Sequence, residues 1–365
     1  MTEIGDLGRY RGSFENTAKR ISMRKPVGID ESTIFDTPLI ECDLALESEA
    51  TVLGKVEWYN LVGAPYGGGS VKSRIAKGML DAAEQSGELD TDDVIIEPSS
   101  GNTGSEIARI GRSRGYAVEI VMPDNAAGGK ADAIRDAGAD IHFVEGDRGY
   151  DAVLDRCDAI VAENPSRYYR PNQYENPANP NTHEETTAKE LYEATDGELT
   201  HFIAGVGTGG TITGTGRGLI ERDPAIDIIG IEPAEPLHAI DGLKYLRTGE
   251  HYHPGIYDES VLTQQRYIET ADAYARAREV RERYQETPIT IVDTGQHSEE
   301  TVRRHLRVGE QFLIGTSGGA TLQVVYDLDR EGALDDEDVV VVMLADRGDK
   351  YADIPLWRDY LATEE

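Results

Sequence analysis

The chain has 365 residues, 39% of them hydrophobic, long enough to bury a sizeable core in two lobes and too long for a small stapled module. Its 68 acidic residues outnumber 36 basic ones for a formal net charge of -32, spread from Glu3 to Glu365 with no basic stripe, which disfavours nucleic acid as a partner. Cys42 and Cys157 lie far apart with no CxxC pair, which excludes a disulfide framework and a cysteine-rich metal site.

Self-repulsion on this scale weakens a compact state at low salt and is screened at about 1 M, where the Debye length is ~3 Å. The composition therefore points to a soluble protein of a salt-rich, reducing cytoplasm. A docking surface for a basic partner would instead gather the acids in one tail. The polar amino-terminal stretch from Met1 to Arg20 lacks the apolar run of a signal peptide. No later stretch approaches the ~20 apolar residues of a membrane span.

In chain order, the first helix-period segment runs from Ser70 to Ala83, behind glycines Gly67 to Gly69. Val94 to Ile96 reads as a buried strand that opens into Glu97-Pro98-Ser99-Ser100-Gly101-Asn102-Thr103-Gly104. Strands follow at Val118 to Met122, Ile141 to Val144, Phe202 to Ala204 and Ile228 to Ile231. A helix is expected from Ala271 to Tyr284, and further strands at Phe312 to Ile314 and Val339 to Leu344. Glu286 to His305 holds a further helix and strand's worth of sequence with no evident role. The alternation predicts an α/β chain of doubly wound, mostly parallel sheets, whose ligands sit beyond the carboxyl ends of the strands.

One such junction, Gly205-x-Gly207-x-x-Gly210, has the spacing of a dinucleotide fingerprint, and Glu232 stands where a ribose-binding acid belongs. Taken alone it suggests an NAD dehydrogenase. Two other junctions, Ser99 to Gly104 and Gly315-Thr316-Ser317-Gly318-Gly319-Ala320, also set small hydroxyl residues and free N–H groups at a helix start, the recipe for holding an anion. Each alone reads as a turn with an N-cap; together they point to a shared crevice. His251-x-His253, with His238 nearby, lacks a third ligand at metal spacing, so no metal is expected. Asp335 to Asp338 reads as a solvated turn.

Ser70-Val71-Lys72-Ser73-Arg74, Ser99-Ser100-Gly101-Asn102-Thr103-Gly104, Gly207-Thr208-Gly209-Gly210-Thr211 and Gly315-Thr316-Ser317-Gly318-Gly319 occur in that order. With Gln173 to Pro180 between them, the chain from Thr37 to Tyr351 resembles the cysteine synthase and cystathionine β-synthase group of pyridoxal phosphate enzymes, the fold-type II or tryptophan synthase β-like class. The resemblance implies a larger domain of residues 1–65 and 178–365 that binds the cofactor phosphate, and a smaller mobile domain of residues 66–177 that carries the substrate loop. It also implies a homodimer.

By that resemblance Lys72 would carry pyridoxal 5'-phosphate as a Schiff base, and Gly207, Thr208, Gly209, Gly210 and Thr211 would wrap its single phosphate. Asn102 would meet the ring oxygen and Ser317 the pyridine nitrogen. A neutral hydroxyl there makes a weaker electron sink than a carboxylate, suited to β-elimination and replacement. Ser99, Ser100, Thr103 and Gln173 match positions that hold a substrate carboxylate, and Arg247 stands where a substrate phosphate could pair.

The implied reaction is replacement of the β-substituent of O-acetylserine or O-phosphoserine by sulfide, through an α-aminoacrylate, to give L-cysteine. Ser99 replaces a usual threonine, Ser73 stands where aspartate is frequent, and the Asn60 to Gly69 lead-in is long. Related alternatives are cystathionine β-synthase, for which no haem-binding leader or appended regulatory domain is evident, and a serine or threonine dehydratase, which the Gly-Thr-Gly-Gly-Thr loop disfavours. A dehydrogenase leaves Lys72, Asn102 and Ser317 unexplained, and a silent scaffold would not need Lys72.

Overall fold

The computed structural model describes residues 29–63, 68–126, 128–248, 253–285, 287–306 and 312–358. Gly67, His251, Glu286 and part of the Asn60 to Gly69 lead-in lie outside the described residues.

The chain opens with β1 (Leu39–Glu41) and β2 (Thr51–Val56). It then builds α1 (Val71–Ser86), β3 (Val94–Pro98), α2 (Asn102–Ser113), β4 (Ala117–Pro123), α3 (Gly128–Asp136), β5 (Asp140–Val144), α4 (Gly149–Glu163) and β6 (Tyr168–Tyr169). Helices α5 (Ala178–Thr182) and α6 (Ala188–Ala194) are joined by a π-helical stretch, His183–Thr187. After them come β7 (His201–Gly205), α7 (Gly210–Arg222), β8 (Asp227–Pro233), β9 (Gln264–Ile268), α8 (Thr270–Arg283), β10 (Ile291–Asp293), α9 (Glu299–Leu306), α10 (Thr316–Arg330) and β11 (Val339–Leu344).

The strands form two sheets, a seven-stranded one in the order β10-β1-β2-β11-β7-β8-β9 and a four-stranded one in the order β5-β4-β3-β6. The smaller sheet is parallel throughout, and the larger is parallel except where β1 meets β2 and β10. Alternation along each strand sends side chains into separate cores: Ile203, Ile229 and Val342 pack on one face of the large sheet, Phe202, Ile228 and Val341 on the other. Ile95 and Ile96 divide the small sheet in the same way. Both faces are covered, so β11 reads as a continuous apolar run, Val339 to Leu344.

Helix α1 starts at a capping box in which the Ser70 hydroxyl and Ser73 satisfy each other's end of the first turn. Its apolar stripe, Ile75, Ala76, Met79, Leu80 and Ala83, buries against the small sheet's core. The helix thus fixes where Lys72, on its first turn, can point.

The expected strand at Phe312 to Ile314 is not a sheet member; Ile314 makes a single antiparallel bridge to Arg347. Both edges of β11 are already taken by β2 and β7, so this apolar run serves as a core plug instead, with Phe312 against Trp58 and Tyr284. The segment without an evident role contains β10 and α9. β10 extends the large sheet beside β1, while α9 buries Val302 and Leu306 and accepts the Tyr59 hydroxyl at the Val302 carbonyl.

Candidate active site

The carboxyl ends of β7 and β11, the start of α1 and the starts of α2, α7 and α10 converge on one cavity. Its lining includes Lys72, Asn102, Gly207, Thr208, Gly209, Thr211 and Ser317. Residues distant in sequence meet there because each lies at a strand-to-helix junction or a helix start.

Lys72 is partly buried, and burial pushes its amine down to about 8, with the Asp346 carboxylate pulling the other way. Asp346 and Tyr351, which the motif reading did not single out, line the same cavity. Asp346 accepts a 2.6 Å hydrogen bond from Asn102 Nδ2 and another from the Tyr351 hydroxyl. Lys350 Nζ donates to the Gly69 carbonyl at 2.8 Å and to Asn102 Oδ1 at 3.3 Å. The available signal was a polar Asp346 just beyond the buried run of β11, at a strand's carboxyl end.

At the opposite end the cavity meets the first turn of α7, which supplies backbone N–H groups and the hydroxyls of Thr208 and Thr211. Gly209 caps the helix with φ of 80°, in the left-handed region. A Cβ on Gly207 would fall 2.1 Å from the Gly242 carbonyl oxygen, so the backbone approach there needs glycine. Gly210, the first residue of α7, is in the same loop although it does not line the cavity. Behind the loop, His183 Nε2 lies 3.1 Å from the Thr211 hydroxyl and Nδ1 2.9 Å from that of Thr187. Burial, with the nearby Arg74 and Lys72 charges, holds His183 well below its ordinary value, so it is neutral. The π-helical stretch, an irregularity common at functional sites, presents this side chain.

These residues fit a phosphorylated aldehyde. The α7 end supplies donors to one phosphate, Lys72 supplies an amine with depressed basicity, and Ser317 offers a hydroxyl from the first turn of α10.

The expected substrate loop lies beside the cavity, not in its lining. The Ser99 hydroxyl accepts the N–H of Gly104, in the first turn of α2, at 2.9 Å, while Thr103 Oγ1 donates to Gln173 Oε1 at 2.7 Å. The buried Glu97 carboxylate accepts the Asn172 and Gln173 N–H groups at 2.9 and 3.1 Å, and burial raises it to about 7. Ser100, between them, is half-buried. Arg247 is elsewhere: its guanidinium stacks 4.2 Å from the Tyr267 ring centroid, in a separate pocket with Glu232. Glu232 accepts the Leu246 N–H at 2.9 Å and faces that pocket too, so it does not border the Lys72 cavity.

A family model described as pyridoxal-phosphate dependent enzyme matches residues 31–346. The chain is 34% identical over 331 residues to a cysteine synthase of Aquifex aeolicus, covering 89% of this chain and 91% of that one. Among solved structures it resembles an O-ureido-L-serine synthase, with a TM-score of 0.74 and 27% identity over 91% of this chain and 98% of that one. It also resembles a cysteine synthase of Entamoeba histolytica, with a TM-score of 0.73 and 25% identity over 98% and 94%. The chain is a cysteine synthase-type member of the pyridoxal-phosphate dependent enzyme family, and its cofactor is pyridoxal 5'-phosphate.

Proposed function

We propose that the protein makes L-cysteine by replacing the β-substituent of an O-activated serine with sulfide. The observation that carries this is the single cavity shared by Lys72, Asn102, the Gly207 to Thr211 loop and Ser317. The cysteine synthase relatives support the choice of substrates. Lys72 would hold pyridoxal 5'-phosphate through its side-chain nitrogen, and the group would supply an electron sink that acidifies the α-proton of a bound amino acid and lets the β-substituent leave.

The chain's own residues do the rest. The Lys72 amine would take the α-proton and later return it. At a value of about 8, roughly half of it is neutral at pH 8, against under ~1% for an ordinary lysine. The Thr208 and Thr211 hydroxyls and the α7 N–H groups anchor the phosphate, with neutral His183 fixing Thr211 from behind. Ser317 would meet the ring nitrogen with a neutral hydroxyl, and Asn102 would orient the ring oxygen. Ser99, Ser100 and Thr103 of the β3–α2 junction, with Gln173 hydrogen-bonded to Thr103 from the β6–α5 segment, would bind the substrate carboxylate, and closure of this part would exclude water. Two sheets with separate cores support a division into a larger domain of residues 1–65 and 178–365 and a smaller mobile one of 66–177, except that Ile34 and Leu61 bury in the core of the smaller sheet.

Holoprotein supplied with sulfide and either O-acetylserine or O-phosphoserine tests this reading by the cysteine produced. Cysteine from one donor supports it and names the donor; none from either contradicts it. The stacking of Arg247 on Tyr267 outside the cavity gives no support to a phosphate-specific arginine.

The setting is a salt-rich cytoplasm and the assembly a homodimer. The charge of -32 supports the first, and no helix among the described residues is long and apolar enough to cross a membrane. Stability that falls as sodium chloride rises to about 2 M would contradict the salt reading, and a monomeric mass by light scattering would contradict the dimer.

A further inference from the structure

Asp346 is only 2% exposed, on the wall of the Lys72 cavity. Its Oδ2 accepts both the Asn102 amide and the Tyr351 hydroxyl. Its Oδ1 is buried and has no hydrogen-bond partner among the described residues. Leaving a buried carboxylate oxygen unpaired is costly, and such groups persist where they do something other than stabilise the fold.

The surroundings indicate what it does. Asn102 is gripped at both ends of its amide, Nδ2 by the Asp346 carboxylate and Oδ1 by the Lys350 ammonium. Flipping the amide would set oxygen against carboxylate and NH2 against ammonium, so the two charges fix its direction. The amide nitrogen has a second hydrogen, which is left for an acceptor other than Asp346. Lys72 and Asp346 line the same cavity, and the carboxylate's charge there favours the protonated Lys72 nitrogen.

We propose that Asp346 is a positioning residue: its carboxylate holds the Asn102 amide as a donor toward the ring oxygen of the bound cofactor, and its charge keeps a proton on the Lys72 nitrogen. This rests on the reading of Lys72 and Asn102 as cofactor residues. The charged and titratable groups facing Asp346 are Lys350 and Tyr351 from the segment after β11, Lys72 from α1 and Asp241 from the loop over Gly207. Burial raises the carboxyl, Lys350, Tyr351 and Asn102 oppose that rise, and Asp241 adds to it.

The test is the pH titration of the cofactor's visible absorbance in holoprotein, for wild type, Asp346→Asn, Asp346→Ser and Asp346→Glu. Removing the charge in Asp346→Asn is expected to lower the titration midpoint by about 1 pH unit, tenfold in proton affinity. Asp346→Ser, smaller and also neutral, should shift the midpoint the same way and serves if the amide variant does not fold. Asp346→Glu, which keeps the charge, should titrate closer to wild type than either neutral variant. A cofactor-bound neutral variant whose midpoint coincides with wild type overturns the proposal. Wild-type protein that takes up no cofactor overturns the underlying reading instead, so the two failures are distinguishable.

Discussion

The Lys130 ammonium on α3 is paired with the Asp241 carboxylate, and this contact ties the four-stranded layer to the loop whose Gly242 carbonyl packs on Gly207. Three residues along that loop, the Lys244 ammonium sits over the Tyr150 and Tyr174 rings, 4.8 and 4.9 Å from their centroids. Both contacts tie the layers together through this loop. Lys244→Ala is expected to raise KM for the amino-acid substrate several-fold, since a partly desolvated cation–π contact is worth about 0.5–2 kcal/mol. Lys130→Ala should have a smaller effect, about 1 kcal/mol or less for a partly exposed pair. Steady-state kinetics check both, and an unchanged KM in Lys244→Ala would show that the clasp plays no part in binding.

Two residues beyond Lys72, Arg74 is fully buried between Glu57 and Glu190, with its Nε 2.6 Å from Glu57 Oε2 and its Nη1 2.6 Å from Glu190 Oε1. Lys55 completes the cluster at 2.8 Å from Glu190. Removing one partner strands the others in a dry interior, so Arg74→Ala should cost about 3–5 kcal/mol in urea unfolding. Arg74→Lys should cost nearly as much, because an ammonium cannot bond both carboxylates in the same plane. A loss below about 1 kcal/mol for Arg74→Ala would contradict this role.

Lys72 also carries a stability signature. Its folded value of about 8 lies below the unfolded 10.5, so between these limits the unfolded chain binds more protons. The Lys72 contribution therefore makes the cofactor-free protein more stable as pH rises from about 8 to 10.5. Below pH 8 the full penalty is present. Lys72→Met should stabilise cofactor-free protein at pH 7 by about 1–2 kcal/mol, discounted for partial exposure, and the gain should shrink toward pH 10. Denaturant titrations at the two pH values measure it, and an equal gain at both would rule out the protonation origin.

Gly207→Ala places a methyl against the Gly242 carbonyl, a backbone atom that cannot swing aside. The loop must shift, and cofactor affinity should fall at least tenfold by fluorescence titration. Gly209→Ala adds the strain of a positive φ, about 1–2 kcal/mol, and a clash with the Tyr257 ring. Wild-type affinity in both variants would refute the close approach.

Lys72, Asn102, Thr208 and Ser317 were legible because each sits at a junction whose helix start has its own local signature. Asp346 was not, since its meaning comes from Asn102, 244 residues away along the chain, and from a cavity wall that no spacing rule encodes. His183 was hidden in the same way, because only folding sets it against Thr211. Among the strands, β2 escaped notice because Gly54 and Lys55 interrupt its apolar run, yet Lys55 is buried by its pairing with Glu190. β9, Gln264–Ile268, is a polar edge strand that carries little periodic signal. Phe312 to Ile314 erred in the other direction, since apolarity reports burial and not ladder pairing.

Borohydride reduction of the yellow holoprotein, followed by peptide mapping, tests the central claim most directly. The account predicts a pyridoxyl adduct on Lys72 alone among the nine lysines; an adduct on any other lysine, or a colourless protein that takes up no pyridoxal 5'-phosphate, would contradict it.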